Sequence, residues 1–294
     1  MDVASGTMPG GTMNLVPAKP AVRAIRATVL RLAAAIASLL SAGAMPASAQ
    51  PSAEDVIRAF RHEVTPALSV PTDEQTHYGI LALHALETTG IRFSGPQYVI
   101  VVDRNVKVQA AMIYWLASST SHTYVGGAPV STGRIGQFDH FETPTGVFVH
   151  TPSNPDFRAA GTKNANGILG YGVKGMRVYD FGWQQARRGW SRQGISTMRL
   201  QMHATDPYLL EPKLGTPQSK GCIRIPAALN RLIDRMGLLD ADYERAAGLA
   251  SPPWVLLRDR TPAYGAGRYL IVVETVRRER PDWSPLPGAA KAKP

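Results

Sequence analysis

The chain has 294 residues, 44% of them hydrophobic, which is enough to bury the core of a globular protein. Its 32 Lys and Arg against 22 Asp and Glu give a net charge of +10. The basic residues are scattered and form no run of the nucleic-acid-binding type, so the composition disfavours that class. The charge suits an anionic cell-wall polymer or membrane surface, or serves solubility alone.

The first 49 residues have the layout of a secretory signal peptide. Basic residues from Lys19 to Arg31 precede an apolar run over residues 32–44, and Ala47, Ser48 and Ala49 follow where a signal peptidase cleaves. The apolar run is too short to span a bilayer core of about 30 Å as a helix. We therefore predict export to the periplasm or cell envelope, with an uncleaved N-terminal anchor as the alternative. Residues 1–49 hold four basic residues and one acidic residue, so the mature chain carries +7.

Residues 50–92 are predicted to form a short helical lead-in segment. Ser52 is a suitable N-cap for a first helix that ends near Val64. Thr72 and Gln75 have the spacing of a capping box, which predicts the start of a second helix that ends at Gly90.

Residues 93–278 show a different pattern, in which short β-branched runs are separated by Gly and Pro. Such runs without alternating helices predict a mainly β domain, either a sandwich or a barrel. Gly126 and Gly127 are expected to form a turn between two strands. The predicted strands cover residues 98–103, 107–116, 123–125, 129–131, 146–150, 175–179, 197–202, 254–257 and 269–276.

One helix is predicted among these strands, and a disordered tail is predicted after them. Pro226 suits the first helical position, apolar residues recur on one face, and Gly237 suits the end. Residues 279–294 are rich in Pro, Ala and Lys, a composition typical of disorder.

Cys222 is the single cysteine, so an exported chain cannot form an internal disulfide. The thiol is then buried and inert, paired with another chain, or reactive. Lys220 and Arg224 flank it, and nearby positive charge is expected to lower the pKa of a thiol. Gly221 allows the backbone to approach a substrate closely, and the N–H groups of Gly221 and Cys222 are candidates to stabilise an oxyanion.

A candidate base precedes the cysteine. His203 ends a predicted strand, and fifteen residues separate it from Ser219, a loop long enough to return the chain to its side. A Cys–His pair of this kind performs covalent acyl transfer.

These residues resemble the active-site signature of the YkuD-type L,D-transpeptidases. His203, a loop and the run Ser219-Lys220-Gly221-Cys222-Ile223-Arg224 are similar to that family's motif, in which His usually precedes Gly-Cys. The upstream stretch VSTGRIGQFDHFETPTGVFVH, residues 130–150, resembles the two turns that precede the family's active-site strands. Lys220 in place of the second histidine is the departure from the pattern.

The resemblance implies an L,D-transpeptidase-like β fold and a peptidoglycan stem peptide as substrate. In the family's reaction a cysteine attacks the L-centre carbonyl of the diamino acid in a tetrapeptide stem and releases D-alanine. An amine of a second stem or of a protein lysine then resolves the acyl-enzyme, without cofactor or metal. The implied roles are nucleophile for Cys222, base for His203, oxyanion site at Gly221 and Cys222, support for Ser219 and Lys220, and substrate orientation for Arg224.

Several alternatives remain open. The same fold can act as a hydrolase with water as acceptor, or bind the wall without catalysis because Lys220 replaces histidine. Arg224 binds a substrate carboxylate or pairs with an acidic neighbour. Tyr179 and Trp183 line a substrate groove or belong to the core. A zinc site is disfavoured because its four candidate ligands, His122, His140, His150 and His203, lack metal-type spacing.

Overall fold

The computed structural model describes residues 50–190, 194–249 and 252–287. The predicted signal peptide, residues 1–49, lies outside the described residues, as do residues 288–294 of the predicted tail. Within the described ranges, no helix has both the length and the hydropathy needed to cross a membrane.

Two helices precede the first strand. Ser52 caps α1 (Ala53–Glu63) as predicted, and Ser52 and Asp55 form a reciprocal capping box. The capping box predicted at Thr72 is wrong, because Thr72 already lies inside α2 (Thr72–Thr88) and Pro71 occupies the cap position. The side chain of Gln75 instead donates a hydrogen bond to the Val70 carbonyl at 2.8 Å.

The first sheet has five strands in the order β3-β2-β1-β9-β4, with β9 parallel to β1 and all other neighbours antiparallel. Both of its faces are covered, one by α2 and the other by the core shared with a second sheet, so β1 is buried along its whole length. The strands are β1 (Gln97–Asp103), β2 (Ala110–Leu116), β3 (His122–Pro129), β4 (Gly146–Val149) and β9 (Tyr269–Val273).

The turn predicted at Gly126 and Gly127 is wrong, because β3 continues through both residues. The ring of Phe60 from α1 packs against Gly126, where a Cβ atom would lie 2.2 Å from the ring. Gly126 therefore makes room for a helix rather than reversing the chain, and the space beside Gly127 is taken by the Tyr124 hydroxyl and Val70.

The second sheet has four strands in the order β5-β6-β7-β8, and β7 and β8 run parallel. Met202 pairs with Ile223 and both are buried in the core. The next pair, His203 with Arg224, therefore points to the opposite face. The strands are β5 (Phe157–Arg158), β6 (Arg177–Arg187), β7 (Ile195–Ala204) and β8 (Ile223–Ile225).

A 3-10 turn (Glu211–Lys213) precedes β8, and α3 (Ala227–Met236) follows it. Pro226 caps the start of α3 and Gly237 ends it with a left-handed φ of 58°, at the ends that the sequence predicts. The helix α4 (Ala241–Leu249) is not predicted, and residues 254–257 form turns rather than the predicted strand.

The mainly β, two-sheet architecture with few helices confirms the predicted fold class. The described part of the predicted disordered tail, residues 279–287, is instead packed against the domain. Ser284 is buried and its hydroxyl donates to backbone carbonyls of residues 107 and 108, while the Trp283 ring contacts Tyr78. The ring of Trp283 and the hydroxyl of Ser284 thus hold in place a segment whose Pro-rich composition predicts disorder.

Candidate active site

The loop 219–222 between the 3-10 turn and β8 carries the cysteine and is closed by Ser219. The Ser219 hydroxyl donates to the Cys222 carbonyl at 2.5 Å and accepts the Gly221 N–H at 3.0 Å. Ser219 itself is buried. Its side chain therefore fixes the shape of the loop, in keeping with the supporting role that the resemblance implies.

The upstream stretch 130–145 contacts this loop through backbone and side-chain hydrogen bonds. Ser131 and Arg224 exchange backbone hydrogen bonds of 3.0 and 2.9 Å, and the Phe141 N–H donates to the Lys220 carbonyl at 3.0 Å. The buried Thr143 hydroxyl donates to the Gly221 carbonyl at 2.6 Å and accepts the N–H of residue 133 at 2.8 Å. The stretch 130–145 thus fixes the position of the loop 219–222.

Gly221 is required by both conformation and space. Its φ is 132°, in the region that favours glycine, and a Cβ atom would lie 2.6 Å from the Met198 sulfur and 3.2 Å from the Phe141 side chain. Its N–H is not free for an oxyanion, because it already donates to Ser219. The predicted donor pair is therefore reduced to Cys222, whose N–H has no hydrogen-bond partner among the residues described.

His203 is buried at the end of β7. Its Nδ1 lies 2.6 Å from the Ala204 carbonyl oxygen, and because that oxygen can only accept, Nδ1 donates and Nε2 is left as the proton acceptor. Burial lowers the pKa of His203 to about 4, an effect that the Ala204 hydrogen bond opposes and the Arg224 charge reinforces. The imidazole is thus neutral at physiological pH.

Burial also governs the cysteine. It raises the pKa of the Cys222 thiol to about 11, the nearby Asp180 carboxylate acts in the same direction, and the Gln201 N–H and Arg224 oppose it. The thiol lies 3.8 Å from the Arg199 carbonyl oxygen, which accepts a weak hydrogen bond from it. The predicted lowering of the thiol pKa by flanking positive charge is therefore wrong for the free protein, because burial outweighs it.

A cavity of about 660 Å³ unites most of the predicted residues. Its opposite wall consists of β5 and the loop residues 159–172. Of the seven predicted site residues, five line the cavity: His203, Ser219, Lys220, Cys222 and Arg224.

The two cations of the motif have different surroundings. Lys220 is exposed, and its Nζ is 2.7 Å from the Asp139 carboxylate. Arg224 donates to the Gln218 carbonyl at 3.2 Å and has no acidic partner among the described residues. Its guanidinium, which is desolvated so that its pKa is lowered, faces the cavity and suits a carboxylate of a ligand.

Tyr179 does not reach the cavity. It is fully buried in the core between the sheets, with the Arg177 guanidinium 5.0 Å from its ring centre and His150 at 5.5 Å. Trp183 is 66% exposed, and its ring lies 5.8 Å from the Arg199 guanidinium. The core interpretation is thus correct for Tyr179, and substrate binding by this residue is not supported.

Tyr171 is a cavity residue that the sequence reasoning missed. Its ring contacts the His203 ring edge-to-face, with centroids 4.7 Å apart, and its hydroxyl lies 3.1 Å from Gln201 Oε1. It stands in the glycine-rich stretch GILGYGVKG, residues 167–175, whose pattern indicates a loop but gives no sign of which face the tyrosine takes. Across the described ranges, no cluster of three His, Cys, Asp or Glu side chains could hold a metal ion.

Comparison with known proteins identifies the family of the chain. No curated protein sequence matches the chain. A single-residue mutant of the helical cell shape determining protein Pgp2 from Campylobacter jejuni is similar in structure over 76% of this chain and 55% of that chain, at 12% identity and a TM-score of 0.27. This chain therefore spans about half the length of that protein. Residues 97–249 match the YkuD profile, described as the L,D-transpeptidase catalytic domain, and the chain belongs to this family.

Proposed function

We propose that this protein is an exported cysteine acyltransferase that acts on peptidoglycan stem peptides. The observation that carries the proposal is the shared cavity, in which the only thiol of the chain and a neutral histidine lie beside an unpaired guanidinium. Membership of the L,D-transpeptidase family supplies the substrate class. Export rests on the signal-peptide pattern of residues 1–49.

Acylation begins with attack by Cys222 on the L-centre carbonyl of the stem peptide. As the Sγ–carbon bond forms, the thiol proton passes to Nε2 of His203, and the carbonyl oxygen gains negative charge. The free Cys222 N–H is placed to stabilise that charge. His203 then gives its proton to the departing amine, the carbon–nitrogen bond breaks, and D-alanine leaves an acyl-enzyme behind.

Resolution of the acyl-enzyme follows the reverse order. An acceptor amine gives a proton to His203 and attacks the thioester, and the cysteine departs with that proton restored. Arg224 holds a carboxylate of the stem peptide in place during both halves, because its guanidinium has no acidic partner within the described structure.

The test uses residues 50–294 mixed with a tetrapeptide-stem muropeptide and followed by intact-mass spectrometry. We expect a tripeptide-stem adduct on the wild type, release of D-alanine, and no adduct on the matched Cys222→Ala variant. A folded wild-type protein that forms no adduct and releases no D-alanine contradicts the proposal.

The products separate the remaining alternatives. A cross-linked dimer or a protein-linked muropeptide identifies a transferase, whereas a free tripeptide stem identifies a hydrolase in which water replaces the amine. Binding of the muropeptide without adduct, equal in wild type and Cys222→Ala, identifies a non-catalytic wall-binding protein.

A further inference from the structure

A buried carboxylate lies behind the cavity, and the proposed mechanism does not use it. Asp180 of β6 is 1% exposed, and its oxygens accept three hydrogen bonds. The donors are the Gly182 N–H at 2.8 Å, the Arg199 Nε at 2.7 Å and the Gln201 Nε2 at 2.8 Å. The bond from Gln201 leads on to Tyr171, a residue that lines the cavity.

The third bond fixes the orientation of an amide. Because a carboxylate only accepts, the Gln201 nitrogen must face Asp180, and Oε1 then faces the cavity side. The Tyr171 hydroxyl lies 3.1 Å from that oxygen and donates to it. Asp180, Gln201 and Tyr171 thus form a directed chain in which each group determines the role of the next.

This chain ends at the proposed base. The Tyr171 ring lies between Phe157, at 5.3 Å, and His203, at 4.7 Å, and it meets both rings edge-to-face. Tyr171 lies on a loop with glycine on either side, which leaves the backbone free to move. The hydrogen bond from its hydroxyl to Gln201 of β7 therefore holds the ring in place.

The strand geometry explains why these residues meet. Asp180 pairs directly with Gln201 in the β6–β7 ladder, and Gln201 shares a face of β7 with His203 two residues later. The Gln201 N–H also acts on the Cys222 sulfur. A row of side chains therefore leads from a buried charge to His203, and the backbone of the same Gln201 contacts Cys222.

We propose that Asp180 is a positioning residue of the active site, which acts through Gln201 to hold the Tyr171 ring against His203 and so keeps the imidazole dry and oriented toward Cys222. The inference rests on the proposed function for its catalytic meaning. Its structural part can be tested without any substrate.

The substrate-free test is the titration of His203, followed by NMR of the histidine ring carbons, with the signal assigned from a His203→Gln variant. In the wild type we expect a pKa of about 4. Asp180→Asn lets the Gln201 amide turn over, and Tyr171→Phe keeps the ring but removes its hydrogen bond to Gln201. In both variants water reaches the imidazole. Both variants should raise the pKa of His203 by about one unit or more.

Arg199→Met is the matched control. It removes the other side-chain partner of Asp180 but leaves the chain to Tyr171, so the titration of His203 should stay as in the wild type. Gln201→Met breaks the chain one link later and replaces Asp180→Asn if that variant does not fold.

Kinetics of D-alanine release give the second readout. Asp180→Asn and Tyr171→Phe should each lower kcat roughly tenfold to hundredfold, and the double variant should be no worse than the poorer single one, because both break the same chain.

Two results would overturn the inference: an unchanged His203 titration in Tyr171→Phe, or equal effects of Arg199→Met and Asp180→Asn. Strictly additive losses in the double variant would also contradict it. If the wild type releases no D-alanine, the proposed function fails, and the titration still decides whether Asp180 positions the histidine.

Discussion

Cys222 and His203, the proposed nucleophile and base, are both neutral in the free protein. Burial raises the pKa of the thiol to about 11 and lowers that of the imidazole to about 4, so neither group carries charge near pH 7. Many cysteine enzymes instead keep a preformed thiolate–imidazolium pair. In the proposed mechanism the proton therefore moves from sulfur to imidazole only as a carbonyl is attacked, because burial disfavours both charged forms before that.

This arrangement predicts the pH dependence of alkylation at Cys222. The thiolate is the reactive form and its fraction is small far below a pKa of about 11, so the rate with iodoacetamide should rise about tenfold per pH unit from pH 6 to 9 without a plateau. Intact-mass spectrometry measures the rate, and Cys222→Ala accounts for reaction elsewhere. A rate that is already constant below pH 7 would reveal a preformed ion pair instead.

Lys220, the departure from the family motif, lines the cavity, and its ion pair is with Asp139. Its ammonium is exposed and pairs with Asp139, and such a surface pair contributes little free energy. The family's second motif histidine is thus replaced here by a surface ion pair, and the adduct experiment decides between catalysis and binding alone.

At the scale of elements, the stretch 130–145 fixes the loop 219–222 through Thr143. Its buried hydroxyl bridges the Gly221 carbonyl and the N–H of residue 133. Thr143→Val keeps the shape but leaves both backbone groups without their partner, and we expect a loss of about 1–3 kcal/mol in the free energy of unfolding.

Urea denaturation measures this loss, with Thr145→Val as the control because Thr145 is exposed. The alkylation rate at Cys222 should change in Thr143→Val and stay constant in Thr145→Val, since only the first substitution loosens the loop. Equal stability of the two variants would show that the loop does not depend on the hydroxyl.

The sequence predicts the elements whose signals are local. The Ser52 cap, the ends of α3 at Pro226 and Gly237, and the cores of most strands follow from side chains close in the chain. Gly126 and Gly127 resemble a turn in sequence, but β3 continues through both, and the Phe60 ring, more than sixty residues earlier, packs against Gly126. Such distant packing is not visible in a local pattern.

The candidate site divides in the same way. Spacing and resemblance identify four residues of the site, and the structure brings all four to one cavity: His203, Ser219, Cys222 and Arg224. Tyr171 and Asp180 are missed because the positions proposed for them depend on which face a loop and a neighbouring strand present. The sign of the thiol pKa shift is also missed, since sequence reveals neighbouring charges but not burial.

At the scale of the molecule, a buried charge network joins β6 to the segments that follow β4, precede β5 and follow α3. Arg177, fully buried, makes two bonds of 2.7 Å to Asp240 and one of 2.7 Å to Asp156. His150 donates from Nε2 to Asp156 and from Nδ1 to the Leu239 carbonyl, both at 2.9 Å. Both acceptors lack a proton to give, so the imidazole carries two and is charged.

This network predicts a pH dependence of stability. Burial opposes the charged form of His150, but the Asp156 carboxylate outweighs it and raises the pKa above the ordinary value of 6.5. The stabilisation is therefore complete below pH 6.5 and is lost as pH rises through the folded-state pKa. We expect the free energy of unfolding to fall by on the order of 1 kcal/mol or more toward alkaline pH.

Urea unfolding at pH 6, 7, 8 and 9 measures this slope. His150→Gln should remove it, whereas His84→Gln, at an exposed position of α2, should keep it. A slope that is the same in all three proteins would place its origin outside the network.

The position of β9 has a consequence for how the chain must be made. β9 lies between β1 and β4 in the first sheet, yet among the described residues it is the last strand in sequence. A polypeptide that emerges N-terminus first therefore keeps two unpaired strand edges until residue 273 has been delivered. Ribosomal pausing or truncation before that point should yield aggregation-prone fragments, because the first sheet is complete only when β9 is present.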